Sequence, residues 1–219
     1  MIDIIIRSKN EYGNLKKLLP ILKSQSVDNT IMIVDSNSSD RTNELVERYN
    51  LSITQCVPFS YGKGINQGMD NSDSDYVAIL SAHCFPTNDK YLENMVNNFE
   101  SDVAGIYAKQ IPHIYTNPIE YRCFIHTYGN ERVVQTRCAL FNNGASMISR
   151  KIWDRIPFDE MIPALEDIHW AKQCIDKGYK IIYEPKSVVS HLHDESYSET
   201  IKRYETECIA LKQMEYLKW

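Results

Sequence analysis

Four short polar clusters in this 219-residue chain hold residue types suited to metal, phosphate or acid–base chemistry. Ser81-Ala82-His83 follows the apolar run Tyr76–Leu80, which has the length and composition of a strand buried on both faces. Open α/β sheets bind ligands beyond the carboxyl ends of such strands, which makes His83 a candidate metal ligand as well as a candidate structural histidine. Asp35 closes a second apolar run, Thr30–Val34, and opens the turn-rich stretch Asp35–Asp40. Parallel strands would bring both tips to one edge. There Asp35 suits hydrogen bonds from a base or ribose, and His83 suits a divalent cation held against a diphosphate; helix capping is the other role open to Asp35.

Glu166 and Asp167 open a helical pattern. An acid pair in a first turn complements the helix dipole, and beside a hydroxylated acceptor it could instead supply a general base. His191 and His193 flank Leu192, so on a strand both imidazoles point one way. They form half of a possible metal site, with Asp194 placed to orient either ring.

The elements that must position these groups alternate along the first half. Ile2–Ile6, Thr30–Val34, Leu51–Cys56, Tyr76–Leu80 and Val103–Ala108 read as strands. Between them, Leu15, Leu18, Leu19 and Leu22 recur at helical spacing, with Pro20 expected to kink that helix. Leu45, Val46 and Tyr49 mark a second helix, and glycine-rich Phe59–Gly68 leads into a third around Ile65 and Met69. Thr87 is a candidate cap for a helix carrying Leu92, Met95, Val96 and Phe99. The pattern predicts an α/β fold built on a mostly parallel, doubly wound sheet with helices on both faces.

The second half is less regular. Gln110–Asn143 lacks a clear period and reads as loops and short helices placed to grip a substrate. Gly144–Ser149 reads as a strand, and a helix from about Glu166 to Lys177 stops at Gly178. Lys180–Tyr183 and Ser187–Ser190 read as two short β segments. Ser198 is expected to cap a last helix with Ile201, Tyr204, Cys208 and Leu211 on one stripe.

Composition narrows the class. A formal charge of -5 gives no basic footprint for nucleic acid. The six cysteines are scattered with no Cys-x-x-Cys pair, which argues against a zinc knuckle or a disulfide framework and suits a reducing cytoplasm. The opening apolar run is broken by Arg7 and is too short for a signal segment or a membrane span. The expected location is therefore the cytoplasm, either free or at the inner face of the membrane.

The order of motifs resembles family 2 glycosyltransferases of the GT-A fold over nearly the whole chain. IIIRSKNE is similar to the family's opening strand and loop, and IMIVDSNSSDRT to its IVDxxSxDxT nucleotide turn. FSYGKGINQGM is similar to the FxxGxxRNxG segment, and VAILSAHCFP to the strand bearing the DxD motif. FNNGASMISRKIWDRIPFDE and ALEDIHWAKQCIDKGYKIIYEPKSVVSHLH resemble the acceptor-side segment and the ED helix with its closing histidines.

The resemblance implies a domain at 1–195, with a nucleotide-sugar half at 1–109 and an acceptor half at 110–195, followed by a C-terminal helix at 196–219. It assigns donor contacts to Arg7, Ser8, Glu11, Asp35, Lys63, Asn66, Ser81, Ala82 and His83, and acceptor contacts to Asn143 and Trp170. His83, His191 and His193 become metal ligands. Asp167 becomes the general base of an inverting transfer, supported by Glu166. Ser81 stands where DxD has its first aspartate, and Ile65 where the glycine-rich segment has an arginine, for which Lys63 is the candidate substitute. Imidazole ligation favours Mn²⁺ over Mg²⁺ as the divalent cation.

The implied activity is transfer of a sugar from a nucleoside diphosphate donor to a saccharide or lipid-linked acceptor in bacterial surface polysaccharide synthesis. A UDP-sugar is the favoured donor, with dTDP-rhamnose the alternative. The last helix is expected to pack on the core, pair two subunits, join further domains or touch the membrane. Two other functions fit the same sheet: a sugar nucleotidyltransferase, for which SKNEYGN is a poor phosphate loop, and a binding homologue without chemistry.

Overall fold

The structure, a computed structural model, describes residues 1–137, 139–192 and 195–216. The chain runs β1 (Ile2–Ser8), α1 (Tyr12–Lys23), β2 (Asn29–Asp35), α2 (Thr42–Tyr49), β3 (Ser52–Gln55), α3 (Tyr61–Asp70), β4 (Tyr76–Ser81), β5 (Cys84–Pro86), α4 (Tyr91–Val96), β6 (Val103–Pro112), α5 (Pro118–Thr127), β7 (Val133–Gln135), β8 (Ala145–Ser149), α6 (Arg150–Trp153), α7 (Glu166–Asp176), β9 (Lys180–His191) and α8 (Tyr197–Gln213). The strands form one sheet in the order β3-β2-β1-β4-β8-β6-β9-β5, with β7 also on β9. Pairing is parallel across β3-β2-β1-β4 and again between β6 and β9, while β8 runs antiparallel to both its neighbours.

Side-chain alternation explains why this sheet is covered on both faces. Ile4 and Ile6 of β1, with Ala78 and Leu80 of β4, pack against Leu15, Leu18, Leu19 and Leu22 of α1. Ile5, Val77 and Ile79 face the opposite layer, where Ile65 and Met69 of α3 and Trp170, Ala171 and Cys174 of α7 lie. Consecutive residues feed different layers, so a continuous apolar run is what the position requires. Gly68 is needed because a Cβ there would lie 2.6 Å from Ile5.

The topology positions the site. β1 lies between β2 and β4, so the chain reverses its strand order beside it, and the crevice beyond the strand ends opens there. The registers pair Ser8 with Asp35 and Arg7 with Ser81, which puts the predicted tips on one edge.

Several local expectations need correction. α4 starts after Lys90 and stops at Val96, while the Thr87 amide donates to the Val188 carbonyl instead of capping a helix. α8 is capped by Ser196, whose side chain and Glu199 form a reciprocal capping box, rather than by Ser198. Its buried residues are Thr200 and Ala210, and Ile201, Tyr204 and Cys208 stay exposed, so the predicted stripe does not face the core. The two segments around Pro185 are one strand, β9, with a register irregularity opposite Ala108 and Lys109. β6 extends to Pro112, so Gln110 is a strand residue, and β5 and β7 are additional short strands. The described cysteines are free thiols, and no helix among the described residues is long and apolar enough to cross a membrane.

Candidate active site

Two cavities meet over the strand ends. One, of about 470 Å³, is lined by Ser8, Lys9, Ser36, Asn37, Val57 and Phe59. The other, of about 420 Å³, is walled by Gln110, Phe124, Tyr128, Glu166, Asp167 and His191. Arg7, Tyr61, Ser81 and His83 line both, and so mark where groups bound in the two would touch.

The first cavity is shaped by two loops that lock together. Asn10 and Asn37 adopt left-handed backbone, with φ of 57° and 62°. The Asn10 amide donates to Ser38 Oγ, and its side-chain carbonyl accepts from the Ser39 amide, both at 2.8 Å. Asp35 is buried, and its carboxylate accepts from the Ser38 amide and hydroxyl and from Gln55 Nε2. It therefore organises the turn, and Ser36 and Asn37 are the residues of that turn that line the cavity. Phe59 and Tyr61 form an edge-to-face pair 5.1 Å apart on the opposite side.

At the junction, His83 Nδ1 lies 3.1 Å from Glu11 Oε1. Burial pushes the Glu11 carboxyl up, but hydrogen bonds to His83 and Asn14 outweigh it and leave it below the usual range. The His83 and His191 rings stack with centroids 5.2 Å apart, and Gln110 Oε1 lies 2.6 Å from His191 Nδ1. His193 and Asp194 lie outside the described residues. Among the described residues no three acidic, histidine or cysteine side chains converge as a ready cation site. His83 and His191 are the neighbouring imidazoles there that could hold one side of a cation's shell, with phosphate oxygens of a bound ligand left to complete it.

The acid pair sits at the start of α7, directly after Leu165, a branched residue held at φ 59°. Such a conformation costs about 1–3 kcal/mol in general and marks a backbone constrained by its surroundings. Asp167 Oδ2 accepts from the Asn143 amide at 3.1 Å, and Oδ1 accepts from the Ile168 amide at 2.8 Å. Glu166 is buried and paired with Arg7 at 3.3 Å. Burial above all, then the Glu166 charge, pushes the Asp167 carboxyl up to about 7, against the pull of two backbone amides and Arg7. One carboxylate is thus neutralised by a guanidinium, while its neighbour is poised to exchange a proton near neutrality.

Five assigned contacts are structural instead. Asn143 is fully buried and donates to Glu166, so it braces the acids rather than meeting an acceptor. Trp170 is fully buried, stacks on Phe158 and donates Nε1–H to the Ile156 carbonyl, one turn below the cavity. Asn66 is spent on Phe158, Trp153 and Glu160. Lys63 donates to the Val57 and Pro58 carbonyls and lines neither cavity. Ala82 is a core residue. Ser8, Arg7, Ser81 and His83 do line the cavities, and Glu11 reaches them through His83.

Sequence reasoning missed the far wall of the second cavity. There Arg203 of α8 binds Glu120 at 2.6 Å, Glu195 at 3.0 Å and Glu207 at 3.1 Å, and Tyr204 donates to Glu120. It also missed Tyr61 and Gln110. The one available signal for Tyr61 was its position directly after Ser60, the cap of α3.

The sheet, its switch-point crevice and an acid pair in the cavity beside it make a doubly wound α/β fold of the kind that binds ligands beyond its strand ends. The family model described as "Glycosyl transferase family 2" matches residues 3–156, and the chain belongs to that family. It is 26% identical over 196 residues to the O-antigen chain rhamnosyltransferase WbaN of Salmonella anatum, covering 83% of this chain and 62% of that protein. It is 24% identical to the O-antigen chain rhamnosyltransferase RfbN of Salmonella typhimurium, covering 93% of this chain and 70% of the relative. The chain thus spans roughly two thirds of these relatives' length. Its fold is that of the Pyrobaculum calidifontis mannosyltransferase PcManGT in complex with GDP-Man and Mn²⁺, with a TM-score of 0.78, 17% identity, all of this chain and 65% of that one covered.

Proposed function

We propose that this chain is an inverting glycosyltransferase that moves a 6-deoxyhexose, rhamnose, from a nucleoside diphosphate donor to a saccharide acceptor of the O-antigen type. The observation that carries the reading is the position of Asp167 in one cavity, with Arg7, Tyr61, Ser81 and His83 shared with the other. The first cavity takes the nucleotide and the second the acceptor, so the donor's anomeric carbon lies at the junction. The rhamnosyltransferase relatives turn the preference from a UDP-sugar to dTDP-rhamnose. On the same reading, residues 1–109 carry the donor half and 110–195 the acceptor half.

The chemistry follows from the acids. Asp167 accepts the acceptor hydroxyl proton as that oxygen bonds to the anomeric carbon from the face opposite the diphosphate. The anomeric carbon–oxygen bond to the diphosphate breaks, and the leaving oxygen takes the electron pair. Negative charge grows there, next to Arg7 and His83. His83 and His191 would hold a divalent cation, Mn²⁺ in preference to Mg²⁺, which would supply further positive charge to the diphosphate. The test is product analysis with dTDP-rhamnose, UDP-glucose and GDP-mannose on an O-antigen-type oligosaccharide. Rhamnosyl transfer with inverted anomeric configuration supports the reading. Retention of configuration, or transfer only from another donor, would contradict it.

A further inference from the structure

We propose that Arg7 is shared between the acid pair and the donor diphosphate, so that donor binding and the proton affinity of Asp167 are coupled through one guanidinium. The inference rests on the transferase reading above. Arg7 lies beside Ser81 in register at the end of β1, and among the described residues it is the guanidinium that lines both cavities. Its grip on the acid side is loose. Nη1 to Glu166 and Nη2 to the Asn143 carbonyl are both 3.3 Å, beyond the usual span of such bonds. Its Nε is buried with no hydrogen-bond partner, and its Cζ sits 5.3 Å from the centre of the Tyr61 ring, at the junction.

A guanidinium with a spare buried N–H and two stretched bonds is matched to phosphate oxygens, which accept in pairs. No other residue fills that role at the glycine-rich segment. Ile65 stands at the motif's arginine and is buried in the core, and Lys63 is held by loop carbonyls. When the diphosphate takes Arg7, Glu166 loses its neutralising partner and negative charge is added nearby. Both changes raise the proton affinity of Asp167. The base is therefore stronger when a leaving group is in place, and a smaller fraction of it is ionised near pH 7.

The groups facing the acids bear on the sign. Arg7 comes from β1, and Tyr61 and Tyr128 face the pair from α3 and the end of α5. His83 lines both cavities, and His191 lines the second with its ring stacked on that of His83. On the far wall Arg203 is held by three carboxylates. Of these groups, Arg7 is the cation bonded directly to Glu166.

The experiment is calorimetric titration with dTDP-rhamnose, or with UDP-glucose or GDP-mannose if one of those binds instead. It is run at pH 7 with constant saturating Mn²⁺, in two buffers of different protonation enthalpy. A sugar diphosphate diester has no group titrating near neutrality, so proton exchange reports on the protein. The expected result is uptake of a fraction of a proton per donor bound. Asp167→Asn should bind donor with no uptake. Arg7→Gln should lose the uptake and bind ~10–100-fold more weakly, with part of the affinity restored in Arg7→Lys. Binding without uptake, uptake that persists in Asp167→Asn, or undiminished affinity in Arg7→Gln would each overturn the inference while leaving the transferase reading intact. Failure of every donor to bind would overturn that reading and the inference with it.

Discussion

Asp167→Asn is the substitution that separates chemistry from architecture most cleanly. The Asp167 oxygens accept from the Asn143 and Ile168 amides, and asparagine keeps one of these acceptors while turning an N–H toward the other donor. Losing that hydrogen bond costs about 1–3 kcal/mol. An opposing effect comes from the carboxyl being pushed up to about 7 by burial and Glu166. The folded state then binds more protons than the unfolded chain between the ordinary carboxylate range and pH 7. Folding stability therefore falls as pH rises through that window, and asparagine removes this cost. At pH 8 the two effects oppose each other, so the midpoint of thermal unfolding should stay within about 5 °C of native. Turnover should fall ~10²–10⁴-fold, the contribution of a positioned base. In the native enzyme, kcat/KM should rise about tenfold per pH unit below 7 and level off above it, because the base must be ionised. Release of nucleoside diphosphate, followed in a coupled assay with acceptor present, reads both rates, and thermal unfolding at pH 8 reads the midpoint. A folded variant that retained more than a tenth of native turnover would refute the assignment of the base.

Other consequences follow from single contacts. Trp170→Ala should cost about 3–5 kcal/mol and lower the unfolding midpoint by roughly 10 °C, because a fully buried indole stacked on Phe158 is removed; a large change in acceptor KM without that loss would restore an acceptor role. Gln110→Ala should weaken Mn²⁺ binding by ~10–100-fold, measured by metal titration, because it frees the His191 ring from the partner that orients it. Gly62→Ala drives a Cβ into the Asp159 carbonyl and should destabilise by about 1–3 kcal/mol in denaturant unfolding.

What the sequence revealed depended on how far each feature reaches along the chain. The runs at Ile2–Ile6 and Tyr76–Leu80 declare buried strands locally, and parallel pairing then aligns Ser8, Asp35 and Ser81 with no further information. The motif order likewise led to the acid pair on α7 and to His83. The errors have a different origin. Trp170 lies three residues after Asp167, but α7 enters the core one turn beyond the cavity, so neighbours in a motif face different surroundings. Asn143, Asn66 and Lys63 have the polar character of ligand-binding groups and are spent on the protein's own hydrogen bonds. The wall around Arg203 joins hydrogen-bonded residues up to 84 positions apart, and α5 and α8 each meet it through one narrow face. No local period announces such a cluster.

The central claim is that a nucleoside diphosphate sugar sits in the cavity between Ser8, Ser36 and Phe59 with its diphosphate against Arg7 and His83. It is tested most directly by titrating native protein and His83→Ala with dTDP-rhamnose, with and without Mn²⁺. The account predicts saturable binding to native protein, strengthened by Mn²⁺, with that strengthening lost in His83→Ala. Absence of binding, or an unchanged response to Mn²⁺ in the variant, would contradict it.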